Sequence, residues 1–167
     1  TEGPTSLEAE DVRGNLGNEH NLDWNKSVAI YLTERGSTGY SVYQDSLSTV
    51  ALGNFSDKIN ITHLYPKIGG TGKIYGLIKK MKAAWQADGS TVAVYAASSS
   101  GPAQYSIVTR YKQGLKERAQ GFRKPFRETY ESIHGVGSWE DYLDTLREYA
   151  NDGWSELLFL RADLSSK

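Results

Sequence analysis

The feature that most constrains the fold of this chain is the order of periodic segments after residue 58. Short alternating runs typical of strands are interleaved with segments of helical spacing. The order is strand 59–65, helix 73–87, strands 91–97 and 104–111, helical segments 126–133 and 139–150, and strand 155–162. We expect Ser138 to cap the last helix and Asn151–Gly153 to separate it from the closing strand. The predicted order is therefore β-α-β-β-α-β.

The helix predicted over residues 73–87 has one apolar face. Its apolar side chains recur at helical spacing and are Ile74, Leu77, Ile78, Met81, Ala84 and Trp85. Three lysines, Lys79, Lys80 and Lys82, lie on the opposite face. A helix of this kind packs on a sheet through one side, so we expect Trp85 in the core.

The N-terminal part repeats the pattern of the central hairpin. Residues 28–31 (VAIY) match 92–95 (VAVY) at a distance of 64 residues. We therefore predict a shortened first copy over residues 1–58, with a helix near 7–16 and a β-hairpin at 27–44, before a complete domain at 59–167. The alternative is chance, because such residues are ordinary in strands.

Several stretches resemble one known superfamily. They are LYPKIGGTGK after the first strand, VAVYAASSSGPAQYSIVTRYK in the middle hairpin, SELLFLRADLS at the end and DWNKSVAIY in the first copy. Together they resemble the dimeric α/β-barrel superfamily, and in particular uncharacterised bacterial two-copy members. The resemblance implies an α+β, ferredoxin-like βαββαβ antiparallel sheet with helices on one face, extended by the N-terminal hairpin. It also implies a second sheet over the helix-free face, from a homodimer partner or an intrachain pseudo-dimer, with a ligand between.

The activities of that superfamily include haem degradation, cofactor-free oxygenation of polyketides, chlorite decomposition and lactone isomerisation. His134 and Trp139 do not reproduce the arrangement of the haem-degrading branch, so haem degradation is not implied. The resemblance supports a domain that binds a small, aromatic ligand between sheets, with oxygenase-like chemistry as one form. A non-catalytic dimerisation module and a single-stranded nucleic-acid binder are the alternatives.

Two histidines are candidate general bases. His63 shares a strand face with Ile59, Ile61 and Tyr65, so it is either a buried, hydrogen-bonded side chain or a ligand-contacting base. His134 lies in a glycine-flanked break between helical segments.

Five further residues are candidate ligand contacts. They are Tyr95, Tyr105 and Arg161 on the predicted strands, with Tyr31 and Tyr40 as the first-copy counterparts of the two tyrosines. On the helix-free face these side chains would line the cavity, and on the other face they would belong to the core.

The remaining motifs argue against a metal site, a Walker-type phosphate loop and a membrane span. The chain has no cysteine and no HExxH-like spacing, so no metal site is predicted, and no cofactor is identified. The glycine-rich run 67–73 (KIGGTGK) lacks the Walker spacing. No apolar run is long enough to span a membrane. The compartment stays open between a processed exported protein and a cytoplasmic one.

A basic segment raises the alternative of a nucleic-acid surface. Residues 110–127 hold seven basic side chains and one acid, Glu117, with aromatics between them. The net charge is −1, however, and 104–111 lacks the aromatic signature of RNA-recognition sheets. A solvated loop or a lid over the cavity is the favoured interpretation.

Overall fold

The computed structural model describes residues 40–98, 101–161 and 163. Except for Tyr40 and Gly101, these residues belong to one compact unit. Its strands are β1 (Ser41–Tyr43), β2 (Lys58–Pro66), β3 (Val92–Ala97), β4 (Tyr105–Arg110) and β5 (Ala150–Phe159). Its helices are α1 (Thr71–Ala87), α2 (Phe126–His134) and α3 (Ser138–Tyr149), with short 3-10 turns at Asp45–Leu47 and Gly114–Arg118.

The five strands form one antiparallel sheet in the order β1-β3-β4-β2-β5. The crossover through α1 makes β2 and β3 parallel, and β4 lies between them and pairs with both in the antiparallel sense. From β2 onward this is the ferredoxin-like βαββαβ arrangement, which confirms the predicted fold class. The first strand of the motif is interior, paired with β4 and β5.

The helices pack on one face of the sheet. Helix α1 buries the predicted face through Ile74, Leu77, Ile78, Ala84 and Trp85, and Trp85 is 7% exposed. These side chains share a core cluster with the side chains of Val92, Val94, Tyr105 and Ile107 from the two hairpin strands. The prediction that this helix covers a sheet through one side is confirmed.

Strand alternation sends every second side chain to the opposite face. Leu64 packs against the core, whereas its neighbour His63 points the other way. Val94 and Tyr95 divide in the same manner on β3. Among the described residues no helix packs on that second face, which we call the helix-free face.

The N-terminal edge of the sheet holds part of the predicted hairpin. Strand β1 pairs with β3, with Ser41 opposite Ala97 and Tyr43 opposite Tyr95. Leu47, just after it, is fully buried in the core. The partner strand at 27–33 and the helix at 7–16 lie outside the described residues. The division at residue 58 and the internal repeat stay predictions.

The closing strand differs from its prediction. It starts at Ala150, directly after α3, and ends at Phe159, so the expected break at Asn151–Gly153 is wrong. The reason is pairing with β2, which extends from Lys58–Phe159 to Pro66–Ala150. A Cβ on Gly153 would lie 3.2 Å from the carbonyl oxygen of His63, so the glycine permits this close strand contact.

The start of α3 also differs from its prediction. The residue before the helix is Gly137, with a φ of 86°, and no side chain caps the amides of the first turn. Ser138 is the first helical residue, and its buried hydroxyl has no hydrogen-bond partner among the described residues. The expected Ser138 cap is therefore wrong. The αL conformation of Gly137 turns the chain between α2 and α3 instead.

The basic segment after β4 is tied down locally. The carboxylate of Glu117, whose side chain is 3% exposed, binds Arg123 at 2.5 Å and accepts from the backbone N–H of Gln113. Arg123 also donates to the carbonyl oxygen of Asp88, while Lys112 binds Asn54. These cations therefore have separate local partners. Within the described ranges, no helix is both long and apolar enough to cross a bilayer.

We predict that Glu117→Gln lowers the free energy of unfolding by about 3 kcal/mol at neutral pH, because it leaves the guanidinium of Arg123 without its anion. The hydrogen bonds from Gln113 and Arg123 outweigh burial and hold the pKa of Glu117 below its ordinary 4.5. Since the folded pKa is the lower one, this stabilisation exists above the unfolded pKa and is lost as the pH falls.

Urea unfolding at stepped pH measures this effect. The difference between wild type and Glu117→Gln should shrink between about pH 5 and pH 3. Exposed Glu128→Gln serves as the control; this carboxylate lies in the first turn of α2, so its loss should cost no more than about 1 kcal/mol at any pH. A constant difference across that range would contradict the assignment.

The glycine-rich run before α1 packs closely against the end of α3. Gly70 lies against the end of α3, and a Cβ there would be 2.8 Å from the backbone oxygen of Tyr149. The same oxygen accepts from the backbone N–H of Lys67 at 2.7 Å. The loop thus joins the start of α1 to the α3–β5 junction, and only glycine fits at position 70.

We predict that Gly70→Ala lowers the free energy of unfolding by about 2 kcal/mol, since the added methyl must displace backbone. Gly72→Ala is the matched control, because a Cβ at Gly72 meets nothing within 4 Å. In the first turn of a helix that change should be neutral or stabilising by up to about 1 kcal/mol. Thermal or urea unfolding of both variants measures the two effects. Equal effects would refute the packing role of Gly70.

Candidate functional site

One row of side chains crosses the whole helix-free face. Its members are direct register partners on successive strands: Tyr43, Tyr95, Ser106, His63 and Trp154. Neighbours in such a row lie about 5 Å apart at the usual strand spacing. We call this set the cross-strand row. It combines aromatic rings, a hydroxyl and an imidazole on one flat support.

His63 is held by hydrogen bonds at both ring nitrogens. Nε2 lies 2.9 Å from Oε1 of Glu156, and Nδ1 lies 2.6 Å from the amide nitrogen of Gln104. An amide N–H can only donate, so Nδ1 accepts from Gln104 and the Nε2–H donates to Oε1 of Glu156. The arrangement fixes one neutral tautomer of His63, with its side chain 14% exposed.

Trp154 extends this polar network with an aromatic surface. Its ring stacks on His63 with 4.3 Å between centroids and 23° between planes. The indole N–H donates to the hydroxyl of Tyr65 at 3.4 Å. Trp154 is nevertheless 49% exposed, so the stacked pair presents a ring to solvent at this end of the row.

A buried arginine lies further along the same face. Arg110 is 4% exposed, and its Nη2 donates to the hydroxyl of Tyr95 at 3.3 Å. The ring of Phe55 lies over the guanidinium at 5.8 Å, and Tyr95 meets Tyr43 edge to face. The helix-free face is therefore charged and buried at β4 and exposed at β5.

The predicted tyrosines do not come together. Tyr95 lies on the helix-free face, whereas Tyr105 points into the core beneath the helices, where burial raises its pKa. Tyr40 is half-buried just before β1. Tyr31 lies outside the described residues. Of the predicted tyrosine contacts described here, only Tyr95 belongs to the cross-strand row.

The other two predicted site residues lie away from the row. His134 ends α2 in the helical layer, where its Nε2 bonds the carbonyl oxygen of Lys80 at 3.0 Å. Arg161 lies beyond the end of β5 and forms an ion pair with Asp163. His63 is thus the candidate base that the fold brings to the helix-free face.

Sequence reasoning missed Gln104, Arg110, Trp154 and Glu156 as site residues. A usable signal existed for two of them. Arg110 and Glu156 are charged side chains within strands, and period-2 alternation sends them to the same face as Ser106 and Trp154. The pairing of Glu156 with His63 carried no local signal, because 93 residues separate them.

This unit also contains cavities. An apolar one of about 240 Å³ lies between the sheet and the helices, and its lining includes Thr62, Met81, Tyr142, Ser155 and, from the cross-strand row, Trp154. It is smaller than most ligand pockets, and its two hydroxyl groups, on Thr62 and Ser155, already bond each other at 2.9 Å. A larger cleft of about 510 Å³ lies beside Arg123, whose guanidinium is already bound to Glu117.

The described residues contain no cluster of three or more histidine, aspartate or glutamate side chains arranged to hold a metal ion.

Comparisons with known proteins give a limited result. No family model and no curated protein matches the sequence. A crystal structure of a "putative monooxygenase" from Lactobacillus acidophilus NCFM is similar in fold over 90% of this chain and 67% of that one, with 15% sequence identity and a TM-score of 0.40. At this level the likeness carries no inference about activity.

We predict that His63 is the Nε2–H tautomer whenever it is neutral, because Gln104 donates to Nδ1 and Glu156 accepts from Nε2. Long-range ¹H–¹⁵N NMR of the imidazole nitrogens at alkaline pH measures this. Gln104→Leu removes the donor and should leave a detectable population of the Nδ1–H form. A predominantly Nδ1–H imidazole in wild type would show that the amide of Gln104 is oriented the other way.

Proposed function

We propose that this chain binds a small aromatic molecule on the helix-free face, beside Trp154 and His63. One observation carries the proposal: a half-exposed tryptophan stacks on a histidine whose two nitrogens are fixed by Glu156 and Gln104. Side chains that are already ordered lose little entropy when a ligand binds them. An aromatic ring gains by stacking on the exposed indole.

The polar groups of the site favour a ligand that carries a hydroxyl. Nδ1 of His63 accepts a hydrogen bond from Gln104, and the hydroxyl of Ser106 lies 3.4 Å from the same nitrogen. A phenol or enol hydroxyl that replaced the amide of Gln104 would donate to Nδ1 in turn. Nδ1 of His63 would then orient the ligand by accepting its hydroxyl in place of the amide of Gln104.

The same geometry supports general-base chemistry. When Nδ1 takes a proton from such a hydroxyl, the carboxylate of Glu156 at Nε2 stabilises the imidazolium that forms. Deprotonation makes an electron-rich ring reactive towards molecular oxygen. Oxygenase-like activity on a phenol or enol is therefore the catalytic form of this proposal, and binding alone is its simpler form.

A non-catalytic dimerisation module is the second candidate. Trp154 and Leu158 on β5 are 49% and 41% exposed, and strand alternation sends both to the helix-free face. Exposed apolar side chains on one sheet face are typical of interfaces between subunits. A stable dimer with no response to aromatic ligands would favour this candidate over ligand binding.

We predict that 2-naphthol, an uncharged phenol, shifts the indole N–H resonance of Trp154 with a dissociation constant of roughly 1 mM or below. The reason is stacking on the exposed ring together with hydroxyl donation to His63. His63→Gln should weaken binding at least about fivefold, since it removes the basic imidazole nitrogen and the ring that stacks on Trp154. His134→Gln, a change in the helical layer, should have no effect.

Titration by two-dimensional NMR gives the binding constants, with Trp154→Phe used to assign the resonance among the four tryptophans. Oxygen uptake with the bound phenols, in wild type and His63→Gln, tests the catalytic form. A Trp154 resonance that does not move at millimolar naphthol would remove the proposal.

A further inference from the structure

Arg110 is a buried charge without a charged partner in the described part of the chain. It is 4% exposed, yet no aspartate or glutamate of the described residues lies within ion-pair distance of its guanidinium. Its Nη2 reaches the hydroxyl of Tyr95, while the buried Nη1 has no hydrogen-bond partner there. Arginine stays protonated at all physiological pH values, so it cannot avoid the cost of burial by becoming neutral.

The surroundings of the guanidinium match an anion. A planar guanidinium offers two parallel N–H groups to one carboxylate, and the hydroxyl of Tyr95 at 3.3 Å can add a third donor. Among the described residues, the ring of Phe55 lies 5.8 Å from the guanidinium carbon, and Phe55 is 82% exposed. Binding of a carboxylate at Nη1 requires the groups around the guanidinium to move apart, with Phe55 among them.

We infer that Arg110, with the Tyr95 hydroxyl, binds the carboxylate of an aromatic acid whose ring lies on the cross-strand row. This inference rests on the function proposed above and names its substrate class, a hydroxyaromatic carboxylic acid. Tyr95 and His63 belong to the same row, two strands apart, which is about 10 Å between their Cα atoms at the usual spacing. A fused two-ring acid can thus place its hydroxyl at His63 and its carboxylate at Arg110.

A matched pair of probes tests the charge directly. The probes are 6-hydroxy-2-naphthoate and 6-hydroxy-2-naphthamide, which share the ring and the hydroxyl and differ in the anionic group. Both are titrated into wild-type protein and Arg110→Met, with the indole N–H resonance of Trp154 as the readout. Wild type should bind the acid roughly 10- to 100-fold more tightly than the amide. Arg110→Met should bind the two with equal affinity and retain the affinity of wild type for the amide.

A second measurement uses no ligand. If the guanidinium lacks a counter-ion in the free protein, its replacement by an apolar side chain of similar length should raise the melting temperature by about 3 °C. Arg147→Met is the control, because Arg147 is exposed and pairs with Asp144 on the surface of α3. That variant should melt within about 1 °C of wild type and keep the preference for the acid.

The outcomes separate the two proposals. Binding of acid and amide with equal affinity by wild type would overturn the role of Arg110 and leave aromatic binding at Trp154 intact. A lower melting temperature or failed folding of Arg110→Met would also overturn it, because the arginine would then be structural. Binding of neither probe would remove this inference together with the proposed function.

Discussion

The structure depends on the interior position of β2, which pairs with β4 on one side and β5 on the other. This double pairing joins the hairpin formed by β3 and β4 to the C-terminal strand. It also puts His63 between Ser106 and Trp154, although these residues are far apart in sequence. Because the helices occupy one side of the sheet, the other side of β2 can carry polar groups without disturbing the core.

The two faces of the sheet have different chemistry for the same reason. On the helical side, Val92, Val94 and Ile107 pack against the apolar stripe of α1. On the helix-free side, His63 and Glu156 pair, and the charged Arg110 is buried. A strand changes face at each residue, so His63 belongs to the helix-free face while its neighbour Leu64 packs against the core. Side chains on the helix-free face can therefore vary while the packing of the core is kept.

Hydrophobic spacing was enough to predict the element order and the core. The apolar face of α1 packs on the sheet, and Trp85 is buried as expected. Local signals failed where tertiary contacts outweighed them. Gly153 reads as a strand terminator, but it lies inside β5, where it pairs with Leu64 and where a Cβ would be a tight 3.2 Å from the carbonyl oxygen of His63. Ser138 reads as a cap, but the chain turns at Gly137.

The sequence by itself determined the β-α-β-β-α-β order of the elements, since periodicity is a local property. It also identified His63 and Tyr95 as candidates. Only the tertiary structure decided that Tyr95 shares a face with His63 and that Tyr105 does not, because the face of each strand depends on where the helices pack. The partners of His63, namely Gln104 and Glu156, follow from strand register, which pairs residues that no local pattern connects.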